Sequence, residues 1–313
     1  MSLSEPILTV VTAVFNGQDY IEETINSVLV ATRNIDFEYI VVNDGSTDAT
    51  IDILKKYLGQ IRIIDKPNSG ESESVTIAFG EAKGQYLLVV SADDPLLTDK
   101  LFEKSFDDFA EDKNLVAIYP DWQMIGPKGE ILQEIIVPEY SDELLIGRCL
   151  TLPGPGVIFR KSAALEIGGR RKKWTFVGDY DFWLRLSRIG ELRHRSEILA
   201  QWRYHPGSTS VNKRGPKMAK ERIAVIEEFL SEFEVEKKIS RMALGSAYFM
   251  AARLMFFDNE VPGKKYLLKS FQKRKGWVEE ARIHIILYII FYPISSFLYK
   301  LISKFLPPLR TLK

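Results

Sequence analysis

Short apolar runs alternate with longer amphipathic stretches in the first third of the chain, and this alternation restricts the fold more than any other feature. The apolar runs, rich in valine and isoleucine, lie at residues 7–14, 37–43, 60–65 and 85–91. Such runs are typical of strands buried on both faces of a parallel sheet. Apolar residues at helical intervals lie between them, at Ile21, Ile25, Val28 and Leu29 and at Ile51, Leu54 and Leu58. The order predicts an α/β fold that begins with a βαβαβαβ half-sheet.

The remainder of the chain is predicted to be mixed at first and then helical. We expect a helix near residues 99–110, strands near 115–119 and 157–160, a hairpin turn at 127–130, and a helix from Gly178. Pro206, Gly207 and Pro216 are typical of a linker. The pattern predicts an α/β domain at 1–210 and a helical C-terminal region at 211–313.

Charge and cysteine content exclude several classes of protein. Lysine and arginine total 42 residues, and aspartate and glutamate also total 42. The chain therefore has no net positive charge that would attract nucleic acid. Cys149 is the only cysteine, which excludes an intramolecular disulfide and a cysteine-based zinc cluster. Residues 1–6 lack the charged start and apolar stretch of a secretory signal. We therefore expect a cytoplasmic protein.

An apolar segment near the C-terminus indicates contact with a membrane surface. Residues 283–299 contain no aspartate, glutamate, lysine or arginine, and a basic stretch precedes them at residues 264–275. Their number is at the lower limit for a spanning helix, and Pro293 weakens that interpretation. A spanning helix, a helix on the surface and a helix buried against the domain all stay open. We expect the segment at about 283–306 to associate with the inner face of the cell membrane, whose anionic lipids attract basic residues.

Two adjacent carboxylates, Asp93 and Asp94, follow the fourth apolar run in the sequence S-A-D-D at 91–94. Carboxylates at the end of a buried strand are costly unless a partner compensates their charge. A hard divalent cation, Mn²⁺ or Mg²⁺, that also binds phosphate oxygens would do so. The alternative is a helix cap and a turn opened by Pro95.

Asp44 follows the second apolar run, in N-D-G-S-T-D at 43–48. Thr47 and Asp48 can cap the next helix, but capping does not explain Asp44. Ligands of open α/β sheets bind beyond the carboxyl ends of the strands, where an acidic group can accept a hydrogen bond from a nucleoside. Asp44 is therefore a candidate for contact with a nucleobase or ribose.

Asp179 and Asp181 lie at a predicted helix start among aromatic residues that include Trp183. The helix dipole favours acidic residues there, so capping explains one of them. A carboxylate in such a pocket can also act as a general base toward a hydroxyl, with the rings forming a wall for a sugar.

Arg203 and His205 lie in the loop predicted to end the first domain. The guanidinium of Arg203 is suited to bind a diphosphate, and the imidazole of His205 is suited to bind a metal ion. His194 and His284 are expected to be solvated. The chain lacks a G-x-x-x-x-G-K-[ST] loop and a G-x-G-x-x-G sequence after the first strand. Phosphate recognition is therefore expected to use metal and side chains.

Four short motifs, in this order and spacing, resemble those of the family 2 glycosyltransferases of GT-A fold. They are V-T-A-V-F-N-G at 11–17, V-V-N-D-G-S-T-D at 41–48, A-K-G at 82–84 leading to S-A-D-D at 91–94, and G-D-Y-D at 178–181. The resemblance covers residues 7–210. It implies an inverting transfer of a sugar from a nucleotide sugar, UDP above all, to an acceptor hydroxyl in surface glycan or polysaccharide synthesis.

The resemblance also implies roles for particular residues. Asp179 would be the catalytic base, and Asp93 and Asp94 would bind the metal, to which the loop residue His205 adds a third candidate ligand. The predicted substrate contacts are Ala13, Phe15, Asn16, Asp44, Glu73, Ser91, Ala92, Trp183 and Arg203. The segment at 68–73 resembles the family's donor-side loop, in which Glu73 would face the base. The partners implied are a nucleotide-sugar donor and a glycan or lipid-linked acceptor.

Two positions depart from the family pattern. Ser91 stands where many relatives carry the first aspartate of D-x-D, which implies weaker metal binding. Gly178 stands where an acidic neighbour of the base is common. These departures leave a non-catalytic nucleotide-sugar-binding or scaffolding module as the alternative. The Q-x-x-R-W motif of processive synthases is missing, because Gln201, Trp202 and Arg203 have another order. We therefore expect one sugar to be added per acceptor.

Overall fold

The computed structural model describes residues 5–208, 215–257 and 263–273. The strands are β1 (Leu8–Val14), β2 (Phe37–Asp44), β3 (Arg62–Lys66), β4 (Tyr86–Val89), β5 (Leu115–Ile125), β6 (Ile131–Ile135), β7 (Ile158–Arg160) and β8 (Glu191–Arg203). The α-helices are α1 (Ile21–Ala31), α2 (Thr50–Lys55), α3 (Glu71–Glu81), α4 (Ser105–Glu111), α5 (Lys161–Glu166), α6 (Gly178–Leu186), α7 (Pro216–Glu232), α8 (Lys237–Phe257) and α9 (Gly263–Lys273). A 3₁₀ turn spans Asp99–Phe102 and a π-helical turn spans Glu143–Gly147.

The strands form one mixed sheet of eight strands in the order β3-β2-β1-β4-β7-β5-β6, with β8 paired to β5. The first four strands are parallel, and Val11 of β1 lies between Ile40 of β2 and Val89 of β4. The predicted half-sheet is therefore confirmed. Its strands end together at one edge, and the motifs after β1, β2 and β4 leave the sheet there.

The second half of the sheet is mixed in direction. β7 runs antiparallel to both β4 and β5, whereas β8 runs parallel to β5. β8 has no counterpart in the sequence prediction, which treated Trp202 and Arg203 as loop residues. Its charged residues, such as Arg193, Arg195 and Glu197, hide the apolar pattern, and the register with β5 shifts at Pro120 and Asp121.

Helices cover both faces of the sheet with separate apolar clusters. One cluster holds Ile25 of α1, Leu54 of α2 and Phe109 of α4. The other holds Phe79 of α3 and Phe182 of α6. Full burial of side chains of this size stabilises a fold by roughly 1.5–3 kcal/mol each. The predicted α/β class is confirmed as a three-layer arrangement of helices around a sheet.

The C-terminal helices α7 and α8 are packed on this core. Val225, Ile226 and Phe229 of α7 and Ala243 and Ala247 of α8 belong to the same buried cluster as α3 and α6. The predicted helical character of residues from Met218 onward is confirmed for the described part. In that part no helix is long and apolar enough to cross a membrane. The segment at 283–306 lies outside the described residues.

The predicted helix at 99–110 is two shorter elements. Lys104 has a left-handed backbone, with φ of 60°, and separates the 3₁₀ turn from α4. A non-glycine residue in this conformation interrupts a right-handed helix. The sequence around Lys104 contains neither glycine nor proline, so it gave no signal for the break.

Candidate active site

The loop after β1 is tied to the loop after β2. Ala13 is half-buried at the end of β1, and Phe15 is exposed. Asn16 has φ of 53°, and its side-chain oxygen accepts a hydrogen bond from the Thr47 amide at 2.8 Å. Its own amide donates to Ser46 Oγ at 3.0 Å. Asn16 thus holds the two loops together, which is a structural role beside its predicted substrate contact.

Asp44 is buried at the end of β2 and organises the loop that precedes α3. Its carboxylate accepts hydrogen bonds from the Lys66 ammonium and from the backbone amides of Ser69 and Gly70, each amide at 2.9 Å. Burial acts to raise the pKa of Asp44, but these hydrogen bonds outweigh it and the pKa is lowered. Asp44 is therefore charged and satisfied by the protein. Its contact with a nucleoside stays a prediction.

The S-A-D-D segment leaves β4 with its residues facing different ways. Ser91 is exposed, while the Ala92 carbonyl accepts a hydrogen bond from Thr24 Oγ1 at 2.9 Å. Asp94 is buried, and its Oδ1 accepts a hydrogen bond from the Arg203 amide at 2.7 Å. Burial, followed by the nearby charge of Asp93, raises the pKa of Asp94 to about 8. Asp94 thus joins β4 to the end of β8.

Asp93 and His205 meet across the site, with Asp93 Oδ2 2.8 Å from His205 Nε2. Asp94 does not join them. Among the residues that the structure describes, no three histidine, cysteine, aspartate or glutamate side chains form a group that could hold a metal ion. The predicted set of three ligands is therefore reduced to a carboxylate and an imidazole. Two such ligands fit a divalent cation that keeps water and substrate oxygens in its other positions.

Arg203 is buried at the end of β8, with 1% of its surface exposed. Its guanidinium donates to the carbonyls of Asp93, Gly126 and Pro127 and pairs with Glu23 at 2.8 Å. It also lies 4.9 Å from the centre of the Tyr20 ring. All three guanidinium nitrogens thus have protein partners, and Arg203 positions the loop that carries Asp93. Its direct contact with a diphosphate stays a prediction.

The two aspartates of α6 have different environments. Asp181 is buried and pairs with Arg185 at 2.7 Å, and Arg185 donates to the carbonyls of Ile167 and Gly169. Asp179 is exposed in the first turn, where its Oδ1 accepts a hydrogen bond from the Tyr180 amide at 2.7 Å. Asp181 is therefore structural, whereas Asp179 is accessible to a substrate.

Gly178 lies where α6 and α3 approach each other closely. A Cβ atom at Gly178 would be 2.4 Å from Ser72 Oγ, which is too short for any real contact. The Ser72 hydroxyl donates to the Trp174 carbonyl at 3.2 Å, so it is held in place. The missing acidic neighbour of Asp179 thus has a steric cause in this chain.

Glu73 lies in the first turn of α3, whereas the sequence placed it in a loop. It pairs with Lys172, and this hydrogen bond is the main cause that lowers the pKa of Glu73. Ser72 rather than Glu73 is the neighbour of Gly178. The expectation that Glu73 faces the base is not supported by these contacts.

A cavity of about 550 Å³ opens between the ends of β4 and β8 and the start of α6. Asp94 and Ser91 line one side, and Asp179 and the buried Trp183 line another. Asp44 and Asp93 are not among the lining residues. The structure therefore brings the predicted base together with Ser91 and Asp94 at one cavity, whereas Asp44, at the end of β2, does not line it.

Residues that the sequence interpretation missed also reach this site. Glu221 and Arg222 lie on α7, and Glu221 accepts hydrogen bonds from the amides of Thr175 and Phe176 at 3.0 and 2.7 Å. Arg222 lines the cavity. Their signal in the sequence is a polar pair directly before the apolar residues Ile223, Val225 and Ile226.

His194 is not solvated as predicted. Its side chain is 4% exposed, with Nε2 2.8 Å from Asp121 Oδ1 and Nδ1 3.2 Å from Glu139 Oε1. The residue lies on β8, which the sequence interpretation did not recognise as a strand. Pairing with β5 places His194 beside Tyr119 and buries it.

Comparison with known proteins agrees with the motifs. Residues 9–151 match the model of glycosyl transferase family 2, and these residues contain all of β1 but its first residue, β2 to β6 and the S-A-D-D segment. The chain belongs to this family. The hyaluronan synthase of Pasteurella multocida is 30% identical over 214 residues, which are 67% of this chain and 22% of the synthase. The chain thus spans about a fifth of the length of that relative.

Two solved structures of similar fold carry ligands. TarS of S. aureus in complex with UDP-GlcNAc has a TM-score of 0.57 and 16% identity, over 85% of this chain and 88% of TarS. A mannosyltransferase of Pyrobaculum calidifontis in complex with GDP-Man and Mn²⁺ has a TM-score of 0.58 and 11% identity, over 96% and 83% of the two chains. The likeness covers most of this family 2 chain. The predicted GT-A class is thereby confirmed.

Proposed function

We propose that this protein transfers a sugar from a UDP-sugar to an acceptor hydroxyl in the synthesis of a surface glycan, with inversion at the anomeric carbon. One observation carries the proposal. Asp179 from α6 and Ser91 from the end of β4 line the same cavity of about 550 Å³, although they are far apart in the sequence. The family membership, the synthase relative and the nucleotide sugars bound to the two structural neighbours support it.

Asp179 acts as the general base in this proposal. Its carboxylate is exposed to the cavity, and it takes the proton from the acceptor hydroxyl. The acceptor oxygen then forms a bond to the anomeric carbon while the bond from that carbon to the diphosphate oxygen breaks. The electron pair leaves with the diphosphate. A single displacement of this kind needs no nucleophile from the enzyme and inverts the configuration.

The donor occupies the edge formed by the loops after β1, β2 and β4. Ala13, Phe15 and Asn16 hold the nucleoside, and Asp44 shapes the adjoining loop through its amide contacts. Ser91 and Ala92 lie next to the diphosphate, and Arg203 holds the loop that bears Asp93. Trp183 offers a ring face to the sugar.

Asp93 and His205 would hold a divalent cation, Mn²⁺ or Mg²⁺. Their contact at 2.8 Å places a carboxylate oxygen and a ring nitrogen side by side at the edge where the diphosphate is proposed to bind. Bound there, the cation supplies positive charge that stabilises the leaving diphosphate.

The acceptor is a glycan or a lipid-linked glycan at the inner face of the cell membrane. The apolar residues at 283–306 and the basic residues that precede them support a surface association of this kind.

Asp179→Asn tests the proposed reaction. The change removes the base but keeps the size of the side chain, so we expect sugar transfer to fall by about 10²–10⁴-fold while UDP binding is retained. Transfer is followed as UDP release, and UDP binding is measured by calorimetry in the presence of Mn²⁺. Asp107→Asn is the matched control, because Asp107 is an exposed aspartate in the first turn of α4 and does not line the cavity.

Full transfer by Asp179→Asn would remove Asp179 from the mechanism. A wild-type protein that neither binds UDP nor hydrolyses a UDP-sugar would contradict the proposed function itself.

A further inference from the structure

Two arginines in the wall of the cavity have no role in the proposed reaction. Arg170, which lies before α6, and Arg222 of α7 line the cavity together with Asp179. The tryptophans Trp122, Trp183 and Trp202 form other parts of its wall. A wall of aromatic rings with two guanidinium groups suits a sugar that carries an anion.

Arg222 differs from the neighbouring cations in its contacts. Arg171 pairs with Glu228 and Glu232, and Lys173 pairs with Glu228. For Arg222, no carboxylate of the described residues lies within 4.0 Å of the guanidinium, and its buried Nη1 has no hydrogen-bond partner among them. The guanidinium carbon lies 5.8 Å from the centre of the Tyr180 ring, which orients it.

Arg170 is only partly satisfied. Its side chain is 9% exposed, and Nη1 donates to Glu71 Oε1 at 2.7 Å. Its Nε is buried and has no hydrogen-bond partner among the described residues. A guanidinium has only donors, so these two N–H groups need an oxygen acceptor. A carboxylate or a phosphate provides several, with opposite charge.

The position of the two arginines favours the acceptor rather than the donor as the source of that anion. Both line the cavity with Asp179, to which the acceptor hydroxyl must come, and Arg222 lies over the ring of Tyr180, the residue that follows Asp179. Ser91, which we place next to the donor diphosphate, also lines the cavity, but it follows β4, whereas Arg222 contacts α6. An anion bound by Arg170 and Arg222 therefore lies on the molecule that approaches the base.

We infer that the acceptor of this protein is an anionic glycan, and that Arg170 and Arg222 bind a carboxylate or phosphate on the acceptor sugar. This inference rests on the proposed function, because it assigns the acceptor side of the same cavity. The fixed distance between the anion and Asp179 then selects which hydroxyl of the acceptor reacts.

Binding of simple sugars tests the inference without any transfer reaction. Glucuronate, glucose 6-phosphate and glucose are titrated at saturating UDP and equal ionic strength, and the fluorescence of the cavity tryptophans reports binding. The two charged sugars separate a carboxylate from a phosphate. The proteins are the wild type, Arg222→Gln and Lys220→Gln. Lys220 is an exposed cation of the same helix that does not line the cavity, so its variant loses the same charge.

We expect the wild type to bind at least one charged sugar about tenfold more tightly than glucose. Arg222→Gln should lose this preference and bind glucose unchanged, whereas Lys220→Gln should keep it. Arg222→Lys should restore part of it. Arg170→Gln provides a second test at the other arginine. Thermal unfolding identifies the variants that are folded.

Three results would overturn the inference. The first is that the wild type binds all three sugars equally or binds none of them. The second is that folded Arg222→Gln and Arg170→Gln keep the preference for a charged sugar. The third is that these variants lose UDP binding while they keep that preference. The last result would assign the arginines to the donor diphosphate. Failure of the proposed function is seen separately, as absence of UDP-sugar hydrolysis and transfer by the wild type.

Discussion

At the scale of single residues, Gly178 shows how packing restricts the residue type beside the predicted base. The first turn of α6 approaches the first turn of α3 so closely that Ser72 Oγ lies within 2.4 Å of where a Cβ would be. From the sequence, the missing acidic neighbour of Asp179 left a non-catalytic module as the alternative. The structure gives a packing reason instead, because a side chain there would force the Ser72 hydroxyl out of its contact with the Trp174 carbonyl.

Gly178→Ala should therefore destabilise the protein, and Ser72→Ala should relieve the effect. Overpacking of a tight contact costs about 1–3 kcal/mol, and removal of the hydroxyl opens the space. The free energy of unfolding of the two single variants and the double variant gives the coupling. Gly80→Ala is the control, since nothing lies within 4 Å of its Cβ position and it faces solvent in α3. If the changes in the free energy of unfolding of the two single variants simply add in the double variant, the steric explanation is contradicted.

Asp179 and Asp181 show what residue types alone leave open. Both were candidates for capping or for catalysis, because the sequence places them in the same helix turn. Asp181 pairs with Arg185 one turn later on α6, and Arg185 in turn donates to the carbonyls of Ile167 and Gly169. These contacts assign Asp181 to the structure and leave Asp179 for the substrate.

At the scale of elements, the turn between β3 and α3 depends on a carboxylate from another strand. Asp44 at the end of β2 binds Lys66 at the end of β3 and the two amides directly before α3. The sequence predicted the strand and the unusual aspartate. It did not predict this role, because Lys66, Ser69 and Gly70 are more than twenty residues away and meet Asp44 only through the β2–β3 pairing.

Asp44→Asn should lower the free energy of unfolding by about 3 kcal/mol at neutral pH, since it leaves the nearly buried Lys66 without its partner. The pKa of Asp44 is lowered below its ordinary value of 3.8 in the folded protein. Its contribution is therefore complete above that value and is lost as the pH falls through the lower folded-state pKa. The difference in the free energy of unfolding between the wild type and Asp44→Asn should therefore shrink only in that acidic range.

Denaturant unfolding at a series of pH values measures this difference. Asp52→Asn is the control, because Asp52 forms an exposed ion pair with Lys55, and such pairs contribute between zero and about 1 kcal/mol. A difference between wild type and Asp44→Asn that is the same at every pH would show that the charge of Asp44 does not stabilise the turn.

At the scale of the whole molecule, α7 and α8 share a buried core with the domain that the sequence predicts at residues 1–210. Phe229 of α7 is 2% exposed within the cluster that also contains Phe182 of α6. Glu221 holds the amides of Thr175 and Phe176, so α7 also supports the segment that leads to Asp179. The helical region and the site are thus parts of one packed unit in the described structure.

Phe229→Ala should destabilise the whole protein by about 3–5 kcal/mol, because it leaves a cavity in the shared core. We expect one cooperative unfolding transition that shifts as a unit when followed by circular dichroism and by UDP binding. Leu268→Ala, at an exposed position of α9, should have an effect within about 0.5 kcal/mol. Two separate transitions, of which only one moves in Phe229→Ala, would show that the helices unfold independently of the sheet.

The sequence by itself determined the parallel half of the sheet, the family and the positions of the acidic motifs. These follow from local signals, namely apolar runs of strand length and carboxylates directly after them. The tertiary structure decided how the carboxylates after β2 and β4 are engaged and which one is exposed. The Arg203 amide binds Asp94 and the Lys66 ammonium binds Asp44, whereas the exposed Asp179 lines the cavity with Arg170 and Arg222. The reason is physical: the groups that bind Asp94 and Asp44 are distant from them in the chain, and only packing brings them together.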